Sequence, residues 1–200
     1  MRINKPNKRI LILCEGVTEY LYAKALQNQL PRSLQRSVNI EIDFNSRNDP
    51  HSLAKEAGKR KKKAKKENNP YDSIWLFFDN DNWSQLESAF KIIETEKFCI
   101  AYSSMCIEHW FILHFEDCGR AFQNGGEAIT YLKNHWPNYH KTKLKHYLLL
   151  KEQLPTAMKR AKIRRKNIQP DFPKHTRNPY FTVDKLIEFF KNILEKGRDL

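Results

Sequence analysis

Short apolar runs recur through the first half of the chain. Three of them show no polar alternation, so each predicts a strand that is buried on both faces. A fourth stretch alternates polar and apolar residues and predicts a less deeply buried strand. The predicted strands, in chain order, are residues 10–14, 37–44, 73–78 and 98–102.

Each run is followed by a stretch in which apolar residues recur at helical spacing. The predicted helices are residues 18–30, 51–69, 83–97 and 107–115. A strand-then-helix unit repeated four times indicates a parallel sheet with helices on its faces, because parallel neighbours need a crossover connection. The sequence therefore predicts an α/β fold.

The pattern changes beyond Gly119, where helical spacing continues without a further strand signal. Helices are predicted at 125–134, 147–154, 156–166 and from Thr182 onward, and a proline-containing loop at 167–179. We predict an α/β core at residues 1–118 and a basic, mainly helical extension at 119–200 that packs on it. A single continuous domain is the alternative.

The third apolar run ends on two aspartates, Asp79 and Asp81. Open α/β sheets place their sites at the carboxyl ends of strands, and in a continuing strand these two side chains would point to the same side. Two carboxylates in a small volume suit Mg²⁺, which also binds substrate phosphates. A turn that caps the next helix is the alternative interpretation.

The net charge of +13 is concentrated in two blocks. Residues 51–70 contain eight Lys or Arg and two Glu, net +6, and residues 133–177 contain thirteen against two acids, net +11. Such blocks beside an acidic site favour DNA or RNA as a partner, with solvated helix faces as the alternative. The candidate nucleic-acid contacts are Lys59, Lys61, Lys62, Lys63, Lys159, Arg160, Arg164, Arg165 and Lys166.

Aromatic residues within the second block have two interpretations. Trp136, Tyr139 and Tyr147 are candidates for stacking on unpaired bases, and equally for packing in the core. Base stacking would add to the sequence-independent affinity that lysines and arginines give.

Other classes of protein are disfavoured by composition. The four cysteines, Cys14, Cys99, Cys106 and Cys118, lack C-x-x-C spacing and are predicted to be buried apolar residues, which argues against a zinc site or a disulfide framework. The chain has no apolar run of membrane-spanning length, and its first nine residues have no signal-like apolar segment. We expect a cytoplasmic protein without a membrane partner.

Four motifs in chain order resemble the RloB-like family. They are Cys14-Glu-Gly-x-Thr-Glu19, Phe78-Asp-x-Asp81, Ser104-x-x-x-Glu108-x-Trp-x-x-x-His-Phe115 and Asn178-Pro-x-x-Thr182. A glutamate after the first strand followed by a later D-x-D also resembles the topoisomerase-primase (Toprim) fold. His109 departs from the family pattern, in which an apolar residue is expected, and is interpreted as a packing residue.

The resemblance implies a Toprim-like sheet and a metal-dependent nuclease. Such a protein would cleave phosphodiester bonds in DNA or RNA, tRNA included, as the effector of a bacterial anti-phage defence system under the control of a partner ATPase. The implied cofactor is Mg²⁺ or Mn²⁺, bound by Glu15, Asp79 and Asp81. The implied catalytic residues are Glu15, Asp79, Asp81, Glu19 and Glu108.

Several of these implications have alternatives. Glu19, one turn after Glu15 and on a shared helical face, is equally interpretable as a solvated helix residue. Glu108 at a helix start is favoured by the helix dipole without any function. For the whole protein, a non-catalytic nucleic-acid-binding or adaptor subunit of an ATPase complex and a primase-like nucleotidyl transferase both remain open.

Overall fold

The protein contains a parallel sheet flanked by helices, as predicted. The structure, a computed structural model, describes residues 8–44, 49–142, 145–168 and 171–196 of the 200-residue chain. The strands are β1 Lys8–Cys14, β2 Val38–Phe44, β3 Ser73–Asp79 and β4 Cys99–Ser103. They are all parallel in the order β2-β1-β3-β4, which confirms the predicted α/β class.

Helices connect and follow the strands. They are α1 Val17–Gln27, α2 Arg32–Ser37, α3 Pro50–Lys66, α4 Leu86–Glu96, α5 Ile107–Phe115, α6 Gly125–His135, α7 His146–Leu150, α8 Leu154–Lys166 and α9 Val183–Lys196. Helix α2 was not predicted, because Leu34 is its one buried residue and leaves no apolar periodicity. The loop predicted at 167–179 includes a short 3-10 helix, Lys174–Thr176, and residues 169–170 lie outside the described part.

Burial follows the position of each strand in the sheet. The central strands β1 and β3 have five consecutive buried residues each, whereas the edge strand β2 buries Ile40 and Ile42 and leaves Glu41 between them partly exposed. The less deeply buried second strand is therefore confirmed. It lies at an edge, where one neighbouring strand is missing.

The strand register determines which ends meet. Cys14 pairs with Phe77 and Asp79 pairs with Ser103, so the last residues of β1, β3 and β4 lie together. We call this the carboxyl edge of the sheet and the opposite side the amino edge. Ligand sites of parallel α/β sheets form at the carboxyl edge.

The final segment returns to this edge. Phe181 forms an antiparallel bridge with Ser103, and the Thr182 hydroxyl accepts from the Tyr102 amide at 2.9 Å and donates to the Ile100 carbonyl at 3.0 Å. Thr182, predicted as a helix cap, thus binds the backbone of β4. These bonds fix the start of α9 beside the end of β4.

Buried apolar side chains lie on both faces of the sheet. The cluster on one face joins Trp110 of α5 to Leu132, Ala157 and Leu186 of the later helices. Residues from both sides of position 118 therefore share this cluster, and the division of the chain at 118 stays a prediction.

Smaller expectations have mixed outcomes. Cys14, Cys106 and Cys118 are buried and free, as predicted, but Cys99 at the start of the edge strand β4 is exposed, so that prediction is wrong. Within the described ranges, every helix is too short or too polar to cross a bilayer. The first seven residues lie outside these ranges.

Candidate active site

Glu15 directly follows β1 and is anchored by two donors. The Asp79 amide donates to its Oε2 at 3.1 Å, and the Trp83 indole Nε1 donates to its Oε1 at 2.8 Å. The residue is only 7% exposed. Each carboxylate oxygen keeps a second lone pair, so these bonds orient Glu15 and leave it able to accept a proton or bind a cation.

The D-x-D segment is a turn and not a continuing strand. Asp79 ends β3, while Asp81 and Asn82 have positive φ angles of 31° and 57°, a conformation that Asn and Asp tolerate better than most residues. The Asp81 amide donates to the Met105 carbonyl at 2.9 Å. The prediction that strand alternation points Asp79 and Asp81 to the same side is therefore wrong, because the strand ends at Asp79 and the turn sets the position of Asp81.

Two further glutamates are buried at the same edge. Glu19 lies in the first turn of α1 and is 6% exposed, and Glu108 lies in the first turn of α5 and is fully buried. The predicted helical face shared with Glu15 is wrong, since Glu15 precedes α1. Gly16 has an extended backbone, and a Cβ there would lie 3.0 Å from Glu19 Oε2. Glycine thus leaves room for the Glu19 carboxylate.

Glu108 has one satisfied oxygen and one unsatisfied oxygen. Its Oε1 accepts from the Tyr139 hydroxyl at 2.6 Å. Its Oε2 is buried and has no hydrogen-bond partner among the described residues. A desolvated carboxylate oxygen without a partner is costly, so this atom indicates that a ligand belongs beside it.

Burial, with repulsion between neighbouring carboxylates, raises the pKa values of Glu15, Glu19 and Asp79. Burial raises the pKa of Glu15 to about 8, with added repulsion from Glu19 and Asp81. Burial raises the pKa of Glu19 to about 7, with Glu108 adding to it. Burial and then all four other carboxylates raise the pKa of Asp79 well above its ordinary value. We call Glu15, Glu19, Asp79, Asp81 and Glu108 the acidic cluster.

The acidic cluster has chemistry that fits a hard cation. Among the described residues, no three His, Cys, Asp or Glu side chains already stand in a coordinating arrangement. The donor set consists of carboxylate oxygens, which Mg²⁺ and Mn²⁺ prefer, and includes the unpartnered Glu108 Oε2. A cation at this place would offset the burial and the repulsion that raise the pKa values of Glu15 and Asp79.

Lys141 is a site residue that sequence reasoning missed. Burial alone would lower its pKa, but Glu108, Asp79 and Glu19 outweigh that and raise it. Within the sequence, His140-Lys141-Thr142 looks like any other part of the basic block. Only the fold brings this exposed lysine to the acidic cluster, through the bond from the Thr18 hydroxyl of α1 to its backbone carbonyl.

The basic end of α3 lies away from the acidic cluster. The helix begins at Pro50, beside a pocket of about 370 Å³ that Trp83 also lines. Lys61 instead binds Glu96 at 2.8 Å and lies over the Phe98 ring. Phe98 directly precedes β4, so Lys61 lies at the amino edge. About 17 Å of helix separates Pro50 from Lys61. The other α3 candidates on this part of the helix are Lys59, Lys62 and Lys63.

Two arginines of α8 are paired within the protein. Arg160 donates to the Leu113 carbonyl at 2.6 Å, and Arg164 binds the Asp117 carboxylate at 2.9 Å. Arg164 also donates to the Asp117 carbonyl at 2.9 Å. Their guanidinium groups connect α8 to α5 and to the segment after it, so their first role is structural.

Arg165 is more buried than Arg164. It forms a two-pronged ion pair with Asp184 of α9 and also donates to the Phe181 carbonyl. The Arg165 side chain is 15% exposed and that of Asp184 is fully buried. A group held in this way is a poor candidate for binding nucleic-acid phosphates.

The remaining α8 candidates are exposed lysines. Lys159 and Lys166 line an open groove of about 660 Å³ between α8 and α9, together with Lys162 and Lys191. Its acidic side chains include Glu188, which pairs with Lys162. Lys166 follows Arg165 and so lies at the end of α8 nearest the carboxyl edge.

This placement predicts unequal effects from the two lysine groups. Neutralising Lys159 and Lys166 to Gln should lower the salt dependence of nucleic-acid binding by about 0.9 per lost phosphate contact on a duplex, or about 0.7 on a single strand. The matched double variant Lys59→Gln and Lys62→Gln should leave the slope unchanged. Fluorescence anisotropy across a salt series measures both, and equal slopes for the two variants would contradict the placement.

His109 and Tyr139 belong to the core, and Trp136 and Tyr147 are partly buried against it. His109 is fully buried, with its ring 4.7 Å from those of Phe122 and Phe181 and its Nδ1 3.2 Å from the Ser104 carbonyl. Burial lowers its pKa to about 4. Tyr139 is buried against Glu108, so stacking on a base is not open to it in this conformation.

Rising pH should destabilise the metal-free protein. In the folded protein the pKa of Glu15 is about 8 and that of Glu19 is about 7, both above the ordinary value of 4.5. The stability that these two residues contribute is therefore fully present below about pH 4.5 and is lost as pH rises through 7 to 8. His109 and His114, with pKa values lowered to about 4, act in the opposite sense only below their ordinary 6.5. In EDTA, the melting temperature should fall from about pH 6.5 to about pH 8.5, and saturating Mg²⁺ should flatten the curve. A flat curve in EDTA would disagree.

Comparison with known proteins identifies one family. The family model described as RloB-like protein matches residues 10–190. No curated protein and no solved structure gives a significant match. The matched span contains the acidic cluster, Lys141 and the bridge between Ser103 and Phe181.

Proposed function

The chain belongs to the RloB-like family, and we propose that it acts as a metal-dependent, Toprim-type endonuclease that hydrolyses phosphodiester bonds in DNA or RNA, tRNA included. The observation that carries this proposal is the acidic cluster at the carboxyl edge, with one buried carboxylate oxygen, Glu108 Oε2, left without a partner. A hard cation and a phosphate are the ligands that suit such a site.

The side chains have separable roles in this proposal. Glu15, Asp79 and Asp81, the three ligands predicted from the sequence, would hold Mg²⁺ or Mn²⁺. Glu108 would join them through Oε2. When bound, the cation would neutralise phosphate charge and lower the pKa of a bound water. Glu19 lies beside Glu108 and would orient the ligand shell through its charge.

Glu15 is the best-placed group to move a proton. The bonds from the Asp79 amide and the Trp83 indole fix its carboxylate, so little reorganisation is needed when it reacts. Burial raises its pKa to about 8 in the metal-free protein, and a bound cation would lower that value toward neutral pH, where a carboxyl group serves effectively as acid or base. Glu15 would accept a proton from the attacking water or give one to the leaving oxygen.

Incubation with total cellular nucleic acid tests the proposal. Purified protein should degrade DNA or RNA with Mg²⁺ or Mn²⁺ and should lose this activity in EDTA. Labelled nucleotides in the same reaction distinguish the primase-like transferase, which would incorporate them. Inertness toward every nucleic acid with both metals would favour the adaptor alternative. That alternative, however, leaves Glu108 Oε2 buried without a ligand.

The cellular role is proposed from the family resemblance. We propose that the protein is the effector of an anti-phage defence system in the cytoplasm and that a partner ATPase restrains it, because an unrestrained nuclease would damage its own cell. Co-expression with an ATPase encoded beside this protein's gene, followed by size exclusion, tests this. Equal toxicity with and without the ATPase, and separate elution, would count against it.

A further inference from the structure

The turn between α6 and α7 is tied to the helices that carry the acidic cluster. The Tyr139 hydroxyl donates to Glu108 of α5 at 2.6 Å, and the Thr18 hydroxyl of α1 donates to the Lys141 carbonyl at 3.3 Å. His146 Nε2 lies 3.0 Å from the carbonyl of the residue between them, His140. Contacts on both sides therefore hold this turn at the site.

Lys141 brings a positive charge to an otherwise acidic place. Glu108, Asp79 and Glu19 act on its ammonium group strongly enough to outweigh the effect of burial. Yet Lys141 forms no ion pair within 4.0 Å of a carboxylate in the described part of the chain. Lys141, an exposed residue, is thus held at the acidic cluster through its backbone and is not paired with any one carboxylate.

A phosphodiester faces an electrostatic obstacle at this site. Its negative charge must approach five carboxylates, which repel it at short range. A cation at the same place lowers that repulsion, and a lysine ammonium is a compact point charge that commonly binds phosphate. The chemistry of the substrate and the position of the lysine match.

Resting on the proposed nuclease function, we propose that Lys141 is the counter-ion of the acidic cluster in the free protein and a hydrogen-bond donor to a phosphate oxygen of the bound substrate. Water oxygen attacks phosphorus and passes its proton to Glu15, the new P–O bond forms, and the P–O bond to the leaving sugar oxygen breaks as that oxygen takes up a proton. Lys141 keeps its proton throughout. Because negative charge grows on the phosphate oxygens during attack, its ammonium group stabilises the transition state more than the ground state.

Three variants test this role with two measurements. Lys141→Met removes the charge, Lys141→Arg keeps it, and Lys151→Met is the matched control at another exposed lysine. Titration calorimetry with Mg²⁺ alone should show several-fold tighter binding in Lys141→Met, because a competing cation has gone. The cleavage rate at saturating substrate should fall about 100-fold in Lys141→Met, the loss expected for one charge-stabilising group. Lys141→Arg should recover most of it, and Lys151→Met should match wild type.

The outcomes separate this inference from the nuclease proposal. An active wild type with Lys141→Met unchanged in both rate and Mg²⁺ affinity overturns the inference and leaves the nuclease standing. A wild-type protein without activity overturns the nuclease proposal and the proposed contact of Lys141 with phosphate. The Mg²⁺ affinity of Lys141→Met then still tests whether Lys141 is the counter-ion of the acidic cluster. A large rate loss that Lys141→Arg does not recover at all indicates a structural effect and also overturns the inference. Melting curves confirm that each variant is folded.

Discussion

Asp79→Asn is expected to abolish metal-dependent cleavage while making the metal-free protein more stable. Asp79 is the residue on which burial and all four other carboxylates act, so removing its charge relieves repulsion. The same change removes a cation ligand. Replacing a residue that only supports a metal ligand lowers activity by up to about 100-fold, so the loss in Asp79→Asn should exceed about 100-fold. Melting curves at pH 8 with EDTA and with Mg²⁺ measure stability, and a nuclease assay measures the rate.

Three comparisons make this result specific. Asp81→Asn should also lose cleavage and the Mg²⁺-induced rise in melting temperature, whereas Asp171→Asn, an exposed aspartate in the loop before α9, should change neither. Glu15→Gln should lose cleavage but should destabilise the metal-free fold, since an amide NH₂ would face the Asp79 amide or the Trp83 indole. Full activity of Asp79→Asn, or undiminished cleavage in EDTA, would refute the mechanism.

Much of the fold was predictable because buried parallel strands have an unmistakable pattern. Residues 74–78 of β3 are all buried, and a run of that kind cannot be a half-exposed strand or a surface helix. The strand ends then place Glu15 and Asp79 at one edge whatever the loops do. Candidate residues at strand ends follow from topology, and topology follows from the order of apolar runs.

The contacts that complete the candidate site were not predictable in the same way. The bond from Tyr139 to Glu108 spans 31 positions, and Lys141 lies at the site because a long connection returns to α1. Neither depends on a local pattern. The D-x-D turn was misread because strand periodicity says nothing about a residue with positive φ, and Asp81 has one.

Charge composition was the weakest guide. Basic blocks in a sequence do not distinguish a lysine free to bind phosphate from an arginine that closes an ion pair inside the protein. Arg165 and Lys166 are adjacent in the same block, yet Arg165 pairs with the buried Asp184 and Lys166 lines an open groove. That difference depends on which face of α8 each residue occupies, and therefore on how α8 packs against α9.

Breaking the ion pair of Arg165 with Asp184 on one side only should strongly destabilise the protein. Asp184→Asn leaves the mostly buried guanidinium without its counter-charge, which should cost about 3–5 kcal/mol and lower the melting temperature by about 10 °C in a chain of this length. Glu188→Gln, which breaks the exposed pair with Lys162, is the matched control and should cost at most about 1 kcal/mol. Replacing both partners, as Arg165→Met with Asp184→Leu, should recover most of the loss, because apolar groups of similar size carry no desolvated charge. Thermal and urea unfolding measure all three. Equal small losses for Asp184→Asn and Glu188→Gln would show that Arg165 is solvated and free to bind nucleic acid after all.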